Sequence, residues 1–252
     1  MYNSNLQLKN SYINGRYNDI EIFDSVYVNI ENTHIEGDVS VNGTSDITVK
    51  NSIIGSISVA GLSSLSIEKT SVKGNILNVR DGGKIAFKDS FITGNIVSVS
   101  GNGEFVTEGS KIKLAEGISV LEQAKLMVRC SEIKSNNIGI KKEGFEVIEC
   151  TDTEISGIKG IVIDEGKYNI FKRIKINSSS VAILINAMSV AQLEFVDIDS
   201  EGSGIKLEGE REEKFDSIKI KALESIELNN GTIEITNSEL GKIITTGISV
   251  IG

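Results

Sequence analysis

The sequence predicts an all-β, single-domain parallel β-helix, a β-solenoid of about 11–12 coils, each of roughly 18–22 residues and widening toward the C-terminus. Three observations predict it. A unit recurs at a nearly constant period, apolar and polar residues alternate within each unit, and the 252-residue chain has 25 glycines and no proline. Proline cannot donate to a ladder, so its absence suits strands that are paired on both edges. Glycine supplies the tight bends between them.

Taken from the N-terminus, repeat-like residues begin at Leu6 and Leu8. Four of the five tyrosines (Tyr2, Tyr12, Tyr17 and Tyr27) fall in this first stretch, enough for a partial aromatic lid or a contact surface. Residues 1–116 carry the shorter, regular coils. Their anchor glycines are Gly37, Gly55, Gly74 and Gly94, and the unit is clearest in Ile85, Phe87, Asp89, Ser90, Ile92, Gly94, Ile96 and Val99. Period-2 alternation marks strands with one face inward. A unit of about 20 residues cannot bury that face alone, so neighbours must stack.

Residues 117–252 carry the longer coils. A small residue followed by apolar-x-apolar recurs at Gly117-Ile-Ser-Val, Gly160-Ile-Val-Ile, Ala182-Ile-Leu-Ile, Gly204-Ile-Lys-Leu, Ser225-Ile-Glu-Leu and Gly247-Ile-Ser-Val, with Asn137-Ile-Gly-Ile filling the gap. The stretches 178–180 and 208–214 read as loops bulging from the column. A turn column is expected at Asn10, Asn32, Asn51, Lys69, Asp89, Gly109, Cys130, Cys150 and Asn237, where Asn and Asp tolerate a left-handed backbone. Cys130 and Cys150 are therefore expected to stack on successive coils. They would form an apolar ladder of reduced thiols, or lie within disulfide range. No amphipathic helix is visible at either end, and an unpaired terminal strand edge invites another chain.

A net charge of −9 without a dense Lys/Arg run argues against nucleic acid as a partner. No secretory leader and no bilayer-length apolar run are visible. The expectation is a chain without membrane insertion, cytoplasmic or on a virion or cell surface by a route that needs no cleaved signal peptide.

Chemistry-bearing residues are sparse. The best acidic cluster is Glu194, Asp197, Asp199 and Glu201, with Asp197, Asp199 and Glu201 outward on one side of a strand if Val196 and Ile198 point inward. These three are the candidate binding residues, and Asp152 or Glu154 would approach them if the coils stack in phase. Arg173 and Lys175 read as charge balance on an acidic rod. The lone histidine, His34, supplies neither a metal cluster nor a triad. No cofactor, metal or catalytic constellation is expected.

The Gly-Ile-x-apolar units with their Ser/Thr-x-Ile step resemble the right-handed parallel β-helix repeats of the pectate-lyase-like superfamily. That resemblance implies right-handed winding and embraces polysaccharide lyases and hydrolases, tailspikes and adhesins. Ile35-Glu-Gly-Asp-Val39, Val72-Lys-Gly-Asn-Ile76 and Ile92-Thr-Gly-Asn-Ile96 resemble bactofilins, cytoskeletal β-helices that polymerise end to end. The chain departs from them in its longer second-half period and in having no proline-containing tails. The expected function is non-enzymatic and structural, through assembly with itself or another protein subunit. The alternative is polysaccharide binding or cleavage of the tailspike or lyase kind.

Overall fold

Each strand pairs in parallel with the strand one coil further along the chain, and the pairing defines three faces. On the first, Ser4–Lys9, Val26–Glu31, Asp46–Lys50, Ser64–Glu68 and Lys84–Lys88 stack in that order. The second begins with Tyr12–Ile13, His34–Ile35, Ile53–Ile54 and Ser71–Val72. The third begins with Asn18–Ile22, Asp38–Val41, Ile57–Val59 and Ile76–Val79. The computed structural model describes residues 4–15, 18–209 and 212–251. They form a β-solenoid of about 11 turns, 73% strand, with no helix among the described residues.

The register fixes the period. At one corner Ser52 meets Thr70 across a sequence step of 18, Thr70 meets Ser90 across 20, and Ser110 meets Ser131 across 21. Further on, Asp199 meets Lys221 across a step of 22. The end coils depart from this widening. Asn10 meets Asn32 across a step of 22, and the pairing of Ile226 with Ile243 is shorter than that of the coil before it, where Ile205 pairs with Ile226.

Because side chains alternate across a strand, in-register stacking turns each inward position into a column of like residues. One column of the first face reads Val28, Ile47, Leu65, Ile85, Phe105, Leu126 and Ile148, all buried. Phe87 and Phe105 meet inside the rod with ring centroids 5.6 Å apart. The third face contributes Val41, Val59, Val79, Val99 and Val120.

The corner between the first and second faces is built by two residues. The first takes a left-handed backbone, with φ near +50° at Asn10, Asn32, Asn51, Lys69, Asp89, Cys130, Asp152 and Arg173. The second is a buried hydroxyl. The backbone N–H of Thr33 donates to Ser52 Oγ at 3.1 Å, and those of Ser52, Thr70, Ser90 and Ser110 donate to Thr70, Ser90, Ser110 and Ser131, each at 3.2 Å. Each acceptor hydroxyl turns back to a main-chain carbonyl two residues earlier, as Ser90 does to Lys88 at 2.8 Å. The corner N–H groups, which have no place in the flat ladders, are thereby satisfied inside the rod.

Several expectations are corrected here. Val128 pairs with Cys150, so Cys150 points into the core, and Asp152 takes the turn position above Cys130. Cys130 is exposed, Cys150 is buried and both thiols are free. The two cysteines fall two positions short of a full coil, so they do not stack. Residues 178–180 do not bulge: they lie within the extended stretch Glu154–Ser200, which passes through corners at Arg173 and Phe195, and Ser178 is buried with its hydroxyl donating to Ser200 Oγ at 2.9 Å. In 208–214, the strand Glu212–Asp216 has already begun and turns Glu213 inward. Tyr2, Tyr17, Glu210 and Arg211 lie outside the described residues.

Candidate binding groove

Asp197, Asp199 and Glu201 are all exposed, while Val196, Ile198 and Ser200 are buried, so the alternation places Asp197 and Asp199 on the outer surface of the strand that ends at Ser200, with Glu201 immediately after it. Their neighbours separate them. Asp197 and Asp199 lie in register with Lys219 and Lys221 of the next coil. Lys221 Nζ donates to Asp199 Oδ2 at 3.2 Å. Lys219 pairs onward with Glu239 at 3.0 Å, and that carboxylate raises the lysine above its ordinary range.

The same grammar holds one and two coils earlier. Asp152 receives a two-pronged contact from Arg173, at 2.7 and 2.8 Å, which holds its carboxyl below the usual range. Glu154 lies 3.8 Å from Lys175. Arg173 and Lys175 thus meet the two carboxylates below them. Elsewhere Lys9–Glu31, Lys84–Glu104 and Lys172–Glu194 bridge adjacent coils at 3.3, 3.2 and 2.8 Å. Exposed pairs of this kind contribute roughly 0–1 kcal/mol each. Their effect is to spend surface charge on holding coil to coil.

Asp199 and Glu201 have a second setting. Together with Ser135 and Asn136, Ser156 and Gly157, and Asn177 and Ser179, they line an open groove of about 580 Å3. Four successive coils contribute, so the groove runs along the rod axis for on the order of 15 Å at roughly 4.8 Å per coil. Its lining is hydroxyl, amide and carboxylate, with Ile158 as an exposed apolar edge. Asn177 is oriented by donating to Glu154 at 2.8 Å. Asp197 is not part of this lining, so the structure divides the three predicted residues: Asp199 and Glu201 line the groove, and Asp197 lies outside it, in register with Lys219. Among the described residues no group of three or more His, Cys, Asp or Glu side chains could hold a metal ion. His34 stands edge-on to Tyr12 at 5.2 Å on the second face.

The interior holds what sequence reasoning missed. Lys142 occupies the third-face column directly after Val120 and before Ile163, and is fully buried. Asn169 follows Ile148 in the first-face column and is 1% exposed. The two interruptions meet. Lys142 Nζ donates to Asn169 Oδ1 at 2.7 Å and to the Glu146 carbonyl. Asn169 Nδ2 donates to the carbonyls of Gly166 and Val190 at 2.9 and 2.7 Å. Burial lowers the Lys142 amine to about 8, against the opposing pull of the Glu146 carboxylate.

Comparison with known protein families, curated proteins and solved structures finds no match. The functional reading therefore rests on the chain's own geometry.

Proposed function

We propose that this chain is a non-enzymatic structural β-solenoid that acts through assembly, with a second copy stacking on its end coils. The observation that carries this reading is the open ladder edge of the N-terminal coil. Among the described residues, Ser4–Lys9 pairs on one side only, with Val26–Glu31, and Leu6 remains 39% exposed. Within the same set, the strand Ile243–Ile251 likewise pairs only with Glu224–Thr236. Neighbouring coils share the same alternation, so a ladder edge here has the form that another strand accepts. The bactofilin-like units of the first half agree with such stacking.

Sedimentation over a concentration series, with electron microscopy, tests it. Leu6→Asp places a charge in the apolar end section and is expected to abolish concentration-dependent assembly while leaving the β spectrum intact. A strictly monomeric rod at every concentration overturns the reading.

A second reading is favoured by the groove: recognition of an extended polar ligand, such as a polysaccharide, along Asn136, Asn177, Asp199 and Glu201. A screen of acidic and neutral polysaccharides, with and without chelator, tests it. Absence of binding and turnover ends it.

A further inference from the structure

We propose that Lys142 and Asn169 form an intramolecular isopeptide bond that covalently staples neighbouring coils of the solenoid. The placement itself is the first argument. Across the third face the inward column runs Val41, Val59, Val79, Val99, Val120, Lys142, Ile163, and on the first face it runs Phe105, Leu126, Ile148, Asn169. Each column has one polar break in this region. The two breaks are separated by 27 in sequence, on different faces and successive coils, yet Lys142 Nζ and Asn169 Oδ1 are 2.7 Å apart with both side chains buried. Burying an amine and a carboxamide in an aliphatic core is costly unless they are matched to each other.

The surroundings are shaped to this pair. A Cβ at Gly166 would lie 2.8 Å from Lys142 Nζ and 3.2 Å from its Cε, and Gly166 takes a φ of +104°, so the backbone passes where only glycine leaves room for the amine. The carbonyls of Gly166 and Val190 hold both Nδ2 hydrogens of Asn169 and so fix the carboxamide plane. Nζ has two acceptors, the Glu146 carbonyl and Asn169 Oδ1. These match the two N–H bonds of a neutral amine and leave its lone pair for nucleophilic attack, whereas an ammonium would have a third donor to place.

The step balances without any further reagent. Neutral Nζ attacks Cγ of Asn169, a Cγ–Nζ bond forms and the Cγ–Nδ2 bond breaks. One proton passes from Nζ to Nδ2, which departs as ammonia. Nothing is oxidised or reduced. Proximity and exclusion of water supply the rate, as they do for other intramolecular acyl transfers.

The staple is independent of the assembly reading, because the test reads mass and not oligomeric state. The full chain is unfolded in denaturant and its intact mass measured, then digested with trypsin. The expected result is a chain lighter than its sequence by one ammonia. The digest should contain a branched peptide joining the Lys142 and Asn169 segments, uncut after Lys142. Lys142→Met and Asn169→Leu should each restore the sequence mass, and the mass reads out even if either variant folds poorly. An intact mass equal to the sequence overturns the proposal. So does an ammonia loss that maps to a linear peptide, which is the mark of a succinimide at an Asn-Gly step such as Asn230-Gly231.

Discussion

Ser90→Ala is the sharpest probe of the corner ladder. Ser90 is buried and does two things: its Oγ accepts the Thr70 N–H at 3.2 Å and donates to the Lys88 carbonyl at 2.8 Å. Removing it leaves the two groups in different positions. The Lys88 carbonyl keeps the Lys69 N–H at 3.0 Å, so it remains satisfied. The Thr70 N–H, in a residue 2% exposed, loses the one acceptor it has at this corner. An orphaned buried donor costs about 1–3 kcal/mol, and the lost hydroxyl leaves almost no cavity, so the whole effect should be of that size. For a chain of this length it corresponds to roughly 2–4 °C in Tm per kcal/mol. Ser90→Thr keeps the oxygen, as Thr70 does in the same column, and should be near neutral. Denaturant titration gives the stability, and hydrogen exchange at the Thr70 amide gives the local cause. The reasoning fails if Ala and Thr variants are indistinguishable, or if the Thr70 amide exchanges no faster in Ser90→Ala.

Other consequences follow from the same corner and from the surface. Cys130 is exposed and held at φ +48°, a backbone region that costs most L residues about 1–2 kcal/mol and that Asn tolerates better. Cys130→Asn should therefore raise stability by roughly 0.5–1 kcal/mol in a denaturant titration, a part of that cost; a decrease would show that the thiol has a role the turn does not explain. Acid should weaken the rod with a definite sign. Hydrogen bonds from Arg173 to Asp152 and from Thr236, Asn237 and Ser217 to Asp216 lower both carboxyls from 3.8, and Lys50 and Lys134 lower Glu68 and Glu132 from 4.5. A lowered carboxyl contributes stability that is present above its unfolded pKa and is lost as pH falls through the folded value. Denaturation midpoints should hold from about pH 6 to about 5 and fall below about 4.5; Arg173→Met should shrink the acid-induced loss, and a midpoint that rises on acidification contradicts the assignment.

The fold was legible because stacking converts sequence period directly into three-dimensional position. Once Leu65, Ile67, Thr70 and Val72 are seen to repeat as Ile85, Phe87, Ser90 and Ile92, the register follows without further information. The turn column was equally readable from Asn10 to Cys130 and again at Asn237, since the Asn, Asp and Gly at most of these positions announce a left-handed backbone. It fails at Cys150, where residue type and step point to different positions. The step that joins Val128 to Cys150 carries Cys130 to Asp152, which takes the turn, and the identical side chain two positions earlier lies inside.

The same substitution of pattern for period hid the interior pair. In the gap coil, Ile138-Gly-Ile140 satisfies apolar-x-apolar, so it reads as the inward pair. The pairing of Ile118 with Ile140 and of Ile140 with Ile161 shifts the register by two positions and makes Ile140 and Lys142 the inward pair. A shift of two preserves which face each side chain occupies, so nothing in the alternation betrays it. A hydrophobic search also cannot place a lysine in a core column, because such a search assumes that the column is apolar. The constant step could have found it, since the step from Ile118 to Ile140, applied to Val120, arrives at Lys142. In a solenoid, then, a polar residue at an inward position is identified by counting, and its meaning by what meets it across the corner. Glu213, turned inward by the strand Glu212–Asp216, is a second instance of the same rule. The outer carboxylates obey the opposite logic: Asp197 and Asp199 were visible at once, and the structure gives each a lysine in register on the next coil.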